Sequence, residues 1–420
     1  PPPPTINFSN PNSVIASAQE SRGLGDVYKR QVIDAEADTG NAINLDTDFT
    51  VTVDAGTAAA ADLNAINTLT TVAVNLTNVR ALAASSLDDL GTLATALAAD
   101  PAQFSNVTGL TTIAVSDTTV DATTLAARID SFDTINGDNT TGMTLKSEAT
   151  INVASGEIAA MLADELANRL TIDDQDINVD NGTISVDTAN DLDTTTSGTI
   201  TASIDTDETV TELKTLTGTT HAYTIVIAAG DATSSSAADL NTINEKTTEA
   251  INASAITALT SDTIDNIKTL LTAGNNTDQF TDTSFASLTG VTVSDETLDG
   301  SKLADAIDQA NSATGDTSVV FTISAATTIE GSEANFTALL TDDGNNQIDI
   351  DDQNISVSGT ISVDNANLLD AATLGTITAS IDTDETVTCL LYTSPEPTRL
   401  LSIWVGGVGG EKKRGGGGGG

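Results

Sequence analysis

The sequence predicts an α/β fold: a solenoid-like stack of strand–short-helix units with a parallel sheet. Three observations predict it. The chain repeats itself at long range, residues 182–211 and 359–388 sharing 25 of 30 positions at an offset of 177. Inside each long repeat, alternating apolar and polar runs give way to runs with helical spacing, about every 30 residues. Strand and helix in that succession imply parallel strands, which need crossovers, expected to be right-handed.

The elements are clearest in the second copy. Its first unit is the alternating run 223–227 followed by a helical run at 238–244. The next pairs are 255–259 with 263–271, 291–293 with 301–307, and 319–323 with 333–340. The fifth is 360–363 with 366–371, and the sixth closes at 376–381 with a turn from Asp382. Alternation puts Ile377, Ala379 and Ile381 on one strand face, with Thr and Ser on the other. Ile264, Ile267 and Leu271 fall at i, i+3 and i+7, a single apolar stripe. Asp205 and Glu208, repeated as Asp382 and Glu385, read as a capping box with Asp as N-cap. The first copy aligns by segments, 49–56 (FTVTVDAG) with 223–230 (YTIVIAAG) and Val115-Ser116-Asp117 with Val293-Ser294-Asp295. One such unit cannot bury its own apolar face, so neighbours must stack. A parallel β-helix and tandem β-sandwich domains are the alternatives; helical stripes and scarce Gly/Pro hairpin turns weigh against the sandwiches.

Both ends differ in character from this pattern. Residues 21–31 (SRGLGDVYKRQ) resemble a translated transposase-type sequencing adapter, and 389–394 (CLLYTS) resemble its opposite strand. Poly-Pro and poly-Gly ends fit homopolymer readout. We expect 1–31 and 389–420 to be foreign and disordered, leaving one long repeat at 32–211 and a second at 212–388.

Charge excludes several classes of function. Residues 32–388 hold 56 acids against eight bases (Arg80, Arg128, Lys146, Arg169, Lys214, Lys246, Lys268 and Lys302), a net charge near −48. Phosphate binding needs clustered Lys and Arg, so no nucleic-acid partner is expected. The sole cysteine, Cys389, and the sole tryptophan, Trp404, belong to the excluded tail, which leaves no thiol chemistry. No apolar run is long enough to insert into a membrane. The sole histidine, His221, reads as a surface-turn residue.

Acidic clusters are the remaining candidates for chemistry. Asp174, Asp176, Asn178 and Asp180 alternate along one segment, and Asp349 and Asp351 occupy the matching stretch of the second copy. Alternation gathers oxygens on one side, and Ca2+ takes six to eight of them, so these six are candidate Ca2+ ligands. A solvated acidic face is the plainer reading, since charge runs are usually surface and the spacing matches neither the EF-hand loop nor the glycine-rich nonapeptide calcium repeat. Asp205, Asp207 and Glu208, with their copies Asp382, Asp384 and Glu385, are explained by capping more simply than by metal. Nothing singles out a pair of carboxylates for glycoside chemistry, which also needs a shaped cleft. No dinucleotide, phosphate-loop or zinc-protease motif occurs.

Units such as residues 237–260 (AADLNTINEKTTEAINASAITALT) resemble those of giant Thr/Ala/Asp-rich repetitive proteins of aquatic bacteria, of the surface-layer, motility-associated or adhesin-like kind. The resemblance implies an extracellular or cell-surface location and no catalysis. Its implied partners are other repeats of the same long chain, a surface polysaccharide or a partner cell surface. The acidic, cysteine-free composition points the same way, to a structural or adhesive spacer whose acidic face is screened by salt or Ca2+. A polysaccharide-active β-helix enzyme and a virus-fibre shaft are the competing functions. In a parallel stack like positions lie about 5 Å apart, so two stacked Asp repel by about 0.8 kcal/mol in water.

Overall fold

The computed structural model describes residues 50–382 apart from 100–102, 106–108, 138–140, 316 and 325–326, together with two short strands at Thr5–Asn7 and Ser402–Ile403. It is an α/β protein whose described sheets are parallel throughout, with strands and helices alternating along the chain. The chain divides into two compact units, Pro1–Ser203 and Ile204–Gly420.

In the first unit the strands form three ladders, each ordered as the chain runs. The first joins Thr50–Thr52, Val74–Asn75 and Phe104–Ser105. A second runs through Gly56–Ala59, Val79–Ser85, Thr112–Val115, Gly142–Thr144 and Leu170–Thr171. The third holds Thr119–Asp121, Thr150–Ala154, Asp176–Asn181 and Ile200–Ser203. In the second unit, Ala258–Asp262, Gly290–Val293 and Val320–Thr322 form one ladder. Thr297–Asp299, Thr328–Gly331, Asn354–Ile361 and Ile377–Ile381 form another. Ile113 pairs with Met143 and Val291 with Phe321, 30 residues on in both cases, while Ile355 pairs with Ile377 after 22. One circuit of chain therefore makes one rung.

Several rungs carry two strands before their helix where the sequence reading has one. Thr297–Asp299 and Thr328–Gly331 each precede a helix and were not anticipated. With three or four residues they are too short to show alternation. The helices stack too: Leu87–Ala98 packs on Ala122–Asn136, and Ile264–Gly274, Gly300–Thr314, Glu333–Gly344 and Val363–Ala372 pack in succession. The 25-of-30 repeat folds alike in both copies: helix Val186–Thr195 with N-cap Ser185 matches Val363–Ala372 with N-cap Ser362.

The core is aliphatic, and Ile264, Ile267 and Leu271 are buried as their spacing predicts. The described aromatics are spent inside it: Phe104, Phe132, Phe280, Phe285, Phe321, Phe336 and Tyr223 are buried, Phe280 and Phe285 with ring centres 5.2 Å apart. Threonine has a structural use. Thr111, Thr248 and Thr289 hydroxyls donate to the carbonyls of Arg80, His221 and Thr257 on the preceding rung, at 3.0–3.2 Å. Gly198 and Gly375, equivalent in the two copies, lie where a Cβ would overlap the carbonyl of Gln175 or Gln353.

Three expectations are corrected. His221 is only 3% exposed, its ring 5.3 Å from that of Tyr223. It begins the inward series His221, Tyr223, Ile225, Ile227, so strand alternation overrides its turn-like neighbours. Asp205 is not an N-cap: its carbonyl accepts from the Glu208 N–H in a turn, and Thr209 caps helix Val210–Leu213 in a capping box with Glu212. The Thr209 backbone and hydroxyl hold Glu212 below the usual carboxylate range. The copy of this motif beyond Asp382 lies outside the described residues, as does most of 1–31 and 389–420. Where disorder was expected, Thr5–Asn7 pairs with Thr50–Thr52, and Ser402–Ile403 pairs with Thr378 and Ala379. An edge strand offers unpaired N–H and C=O groups to any segment that reaches it.

Candidate functional site

The predicted acidic residues separate into two groups. Asp174 lies in a turn, where it accepts from the Ser147 hydroxyl at 2.6 Å and from Gln175. Asp176 accepts from the Thr199 N–H at 2.7 Å. Asn178 donates to Asn152 of the preceding rung at 2.9 Å. Asp180 is exposed. Ile177 and Val179 between them face the core, so Asp176, Asn178 and Asp180 do share the outer face of one strand.

In the second unit the structure does bring carboxylates together. Among the described residues, Asp343, Asp349 and Asp351 form the one group of three whose carboxylate oxygens come within 4.8 Å of one another. Two of them, Asp349 and Asp351, are predicted residues; Asp343 ends the preceding helix. Asp343 accepts from the Ile350 N–H at 3.3 Å and Asp349 from the Asp351 N–H at 3.0 Å. Burial, reinforced by Asp351 and Asp349, pushes the Asp343 carboxyl up. Three carboxylates supply only part of the six to eight oxygens that Ca2+ takes.

Most acids with a visible task fasten rungs to one another. Asp117 accepts from the Leu87 N–H at 2.8 Å, and Asp295 from the Ile264 N–H at 2.7 Å. Asp262 does the same for Ala238, and Asp231 for Val210. In each case an aspartate on the following rung satisfies a backbone donor at the start of a helix, the first in three of them and the second in helix Ala237–Asn244, donors with no partner inside the helix. The Val-Ser-Asp recurrence at 115–117 and 293–295 marked two of these positions without disclosing the role. Asp295→Ala is expected to cost about 0.5–2 kcal/mol, the range for a lost cap, measured by chemical denaturation. No change in the midpoint would deny the cross-rung cap.

A buried ion cluster went unpredicted. Arg169 contacts Asp133 at 2.7 Å, Asp130 at 3.4 Å, and Asp164. Asp133 and Asp164 are each 6% exposed. The hydrogen bond to Asp133 leads the influences that raise the Arg169 guanidinium above its ordinary value. The cluster ties helix Ala122–Asn136 to the turn after helix Ile158–Leu166, where Asn168 adopts a left-handed φ of 58°.

Its counterpart in the second unit has no cation among the described residues. At an offset of 178, Arg169 becomes Gln347, Asp133 becomes Asn311, and Asp130 and Asp164 remain acidic as Asp308 and Asp342. Asn346 repeats the left-handed turn at φ 61°, and Gly315 repeats the Gly137 helix end. Gln347 and Asn311 bond to each other. Burial first, and Asp308 second, push Asp342 up to about 6. An acid whose folded value is raised holds its proton more tightly when folded. Its stabilising contribution is complete below the unfolded value near 3.8 and is lost as pH rises through about 6. Melting should therefore rise as pH falls from 7 to 5, and less steeply in Asp342→Asn. Equal slopes in calorimetric melts of the two proteins would refute this.

Two equivalent grooves lie between stacked helices, one in each unit. One, of about 580 Å3, is lined by Asn64, Asn67, Thr92, Thr95 and Gln103 among others. The second, of about 710 Å3, is lined by Asn241, Asn244, Thr269, Thr272 and Gln279 with Lys268 and Lys302. Their amides already serve the stack: Asn64 donates to the Asp89 carbonyl, Asn67 to Gln103 and Asn241 to the Asn266 carbonyl. No described helix is long and apolar enough to cross a membrane.

Comparison with known proteins found no matching family model and no matching curated protein.

Proposed function

We propose that this chain is a non-catalytic repeat segment of a large secreted or cell-surface protein, an acidic structural or adhesive spacer that works by length and charge. The observation that carries the reading is the cross-rung use of its acids. Asp117, Asp231, Asp262 and Asp295 each clasp the helix before them, so the carboxylates that make the chain acidic also hold successive rungs together. A spacer needs such nearest-neighbour fastening, because the stability of stacked repeats is a sum of rung and interface contributions. Thr-to-carbonyl bonds between rungs support it further. Partners of stated chemistry are other repeats of the same chain and a surface polysaccharide.

A formal charge of −45 over 420 residues must be screened for the stack to persist. The expected medium is one of high ionic strength with divalent cations such as Ca2+, in keeping with an extracellular location. The full chain should melt at a lower temperature in low-salt buffer with chelator than in 0.15 M salt, on the order of physiological strength, with millimolar Ca2+. Melting indifferent to both changes would end the charged-spacer reading.

A further inference from the structure

The two units carry the same corner in two electrostatic states. In the first, Arg169 gathers Asp130, Asp133 and Asp164 between two stacked helices. In the second, the guanidinium is replaced by the neutral side chain of Gln347, which is 1% exposed and bonded to Asn311. Asp308 and Asp342 remain as acidic residues there with no described cation joining them. The number of carboxylates is unchanged: Asp133 becomes Asn311, Glu165 becomes Asp343 and Thr171 becomes Asp349 at the same offset, so the corner has lost its cation while keeping as many acids.

We propose that the corner formed by helices Gly300–Thr314 and Glu333–Gly344 is a built-in release point, the place where the second unit opens first when salt is withdrawn, whereas the Arg169 corner keeps the first unit closed. The inference stands on the difference between the units and does not depend on the spacer reading. Carboxylates repel over a distance of about 10 Å at 0.1 M salt and about 30 Å at 0.01 M, so dilution acts on the second corner with no described cation to offset it. In the first unit the same dilution strengthens the attraction of Arg169 for its three partners. Salt therefore moves the two corners in opposite directions.

Amide hydrogen exchange on the full chain reads local opening helix by helix. At low salt, the amides of Glu333–Gly344 should exchange at least about tenfold faster than those of Ile158–Leu166, and raising salt should narrow that ratio. Gln347→Arg should slow exchange in Glu333–Gly344 at low salt. Because arginine is bulkier than glutamine, Asp308→Asn provides the second arm, removing the repulsion without adding volume. Arg169→Gln should speed exchange in Ile158–Leu166 and give it the salt response of the second unit. Equal exchange in the two helices, a ratio unmoved by salt, or an Asp308→Asn protein that opens as readily as the parent would each overturn the proposal.

Discussion

Arg169→Met is expected to lower the stability of the first unit by about 3–5 kcal/mol, the range for removing one partner from a buried ion cluster. Asp133 and Asp164, each 6% exposed, would be left as uncompensated charges between two packed helices. Water cannot reach them well enough to replace the guanidinium. For a unit of this size, each kcal/mol moves the melting temperature by about 2–4 °C, so the shift should be plain in a calorimetric scan. The second unit supplies the compensated variant, with Gln347 and Asn311 at the matching positions. Arg169→Gln combined with Asp133→Asn should therefore recover part of the loss, because it restores the neutral pair seen at Gln347 and Asn311 and leaves Asp164 as the one buried acid without its partner. A single-variant loss below about 1 kcal/mol would place the Arg169 contacts among ordinary surface ion pairs.

Phe321→Ala is the second large effect, about 3–5 kcal/mol, from lost burial and the cavity left behind. Phe321 is 1% exposed, pairs with Val291 on the preceding rung and donates its N–H to the Gln347 carbonyl at 2.7 Å. With so few aromatics, neighbours of the Ile, Val and Ala kind cannot reach across the gap. Val320, next in sequence but 44% exposed, is the control: Val320→Ala should change stability by less than about 0.5 kcal/mol. Similar denaturation midpoints for the two variants would mean that the rung does not rely on its aromatic filling.

Much of the fold was legible because it depends on period and repetition. The offset of 177 and the apolar stripe at Ile264, Ile267 and Leu271 report burial directly, and burial is what sequence patterns record. Thr297–Asp299 was hidden because three residues are too few to establish a period of two. His221 was misjudged because composition of the surrounding turn was weighed above its place in the alternating series. Asp349 and Asp351 could be singled out as acids, whereas their neighbour Asp343 comes from the far side of a turn. Arg169 and Asp133 are separated by 36 residues, and only the helix stack brings them together. The informative signal was available all the same: the aligned repeats differ together at this corner, Arg169 against Gln347 and Asp133 against Asn311.

The aspartates that clasp each helix all come from later in the chain than the helix they serve. Asp117 follows Leu87, and Asp295 follows Ile264, by about one rung. During synthesis a newly emerged helix thus lacks its last fastening until the next thirty or so residues have left the ribosome, about 2–6 seconds at ordinary elongation rates. The same arrangement gives unravelling a direction. Stripping a rung from the carboxyl end uncaps the helix upstream of it, while stripping one from the amino end leaves every remaining clasp in place.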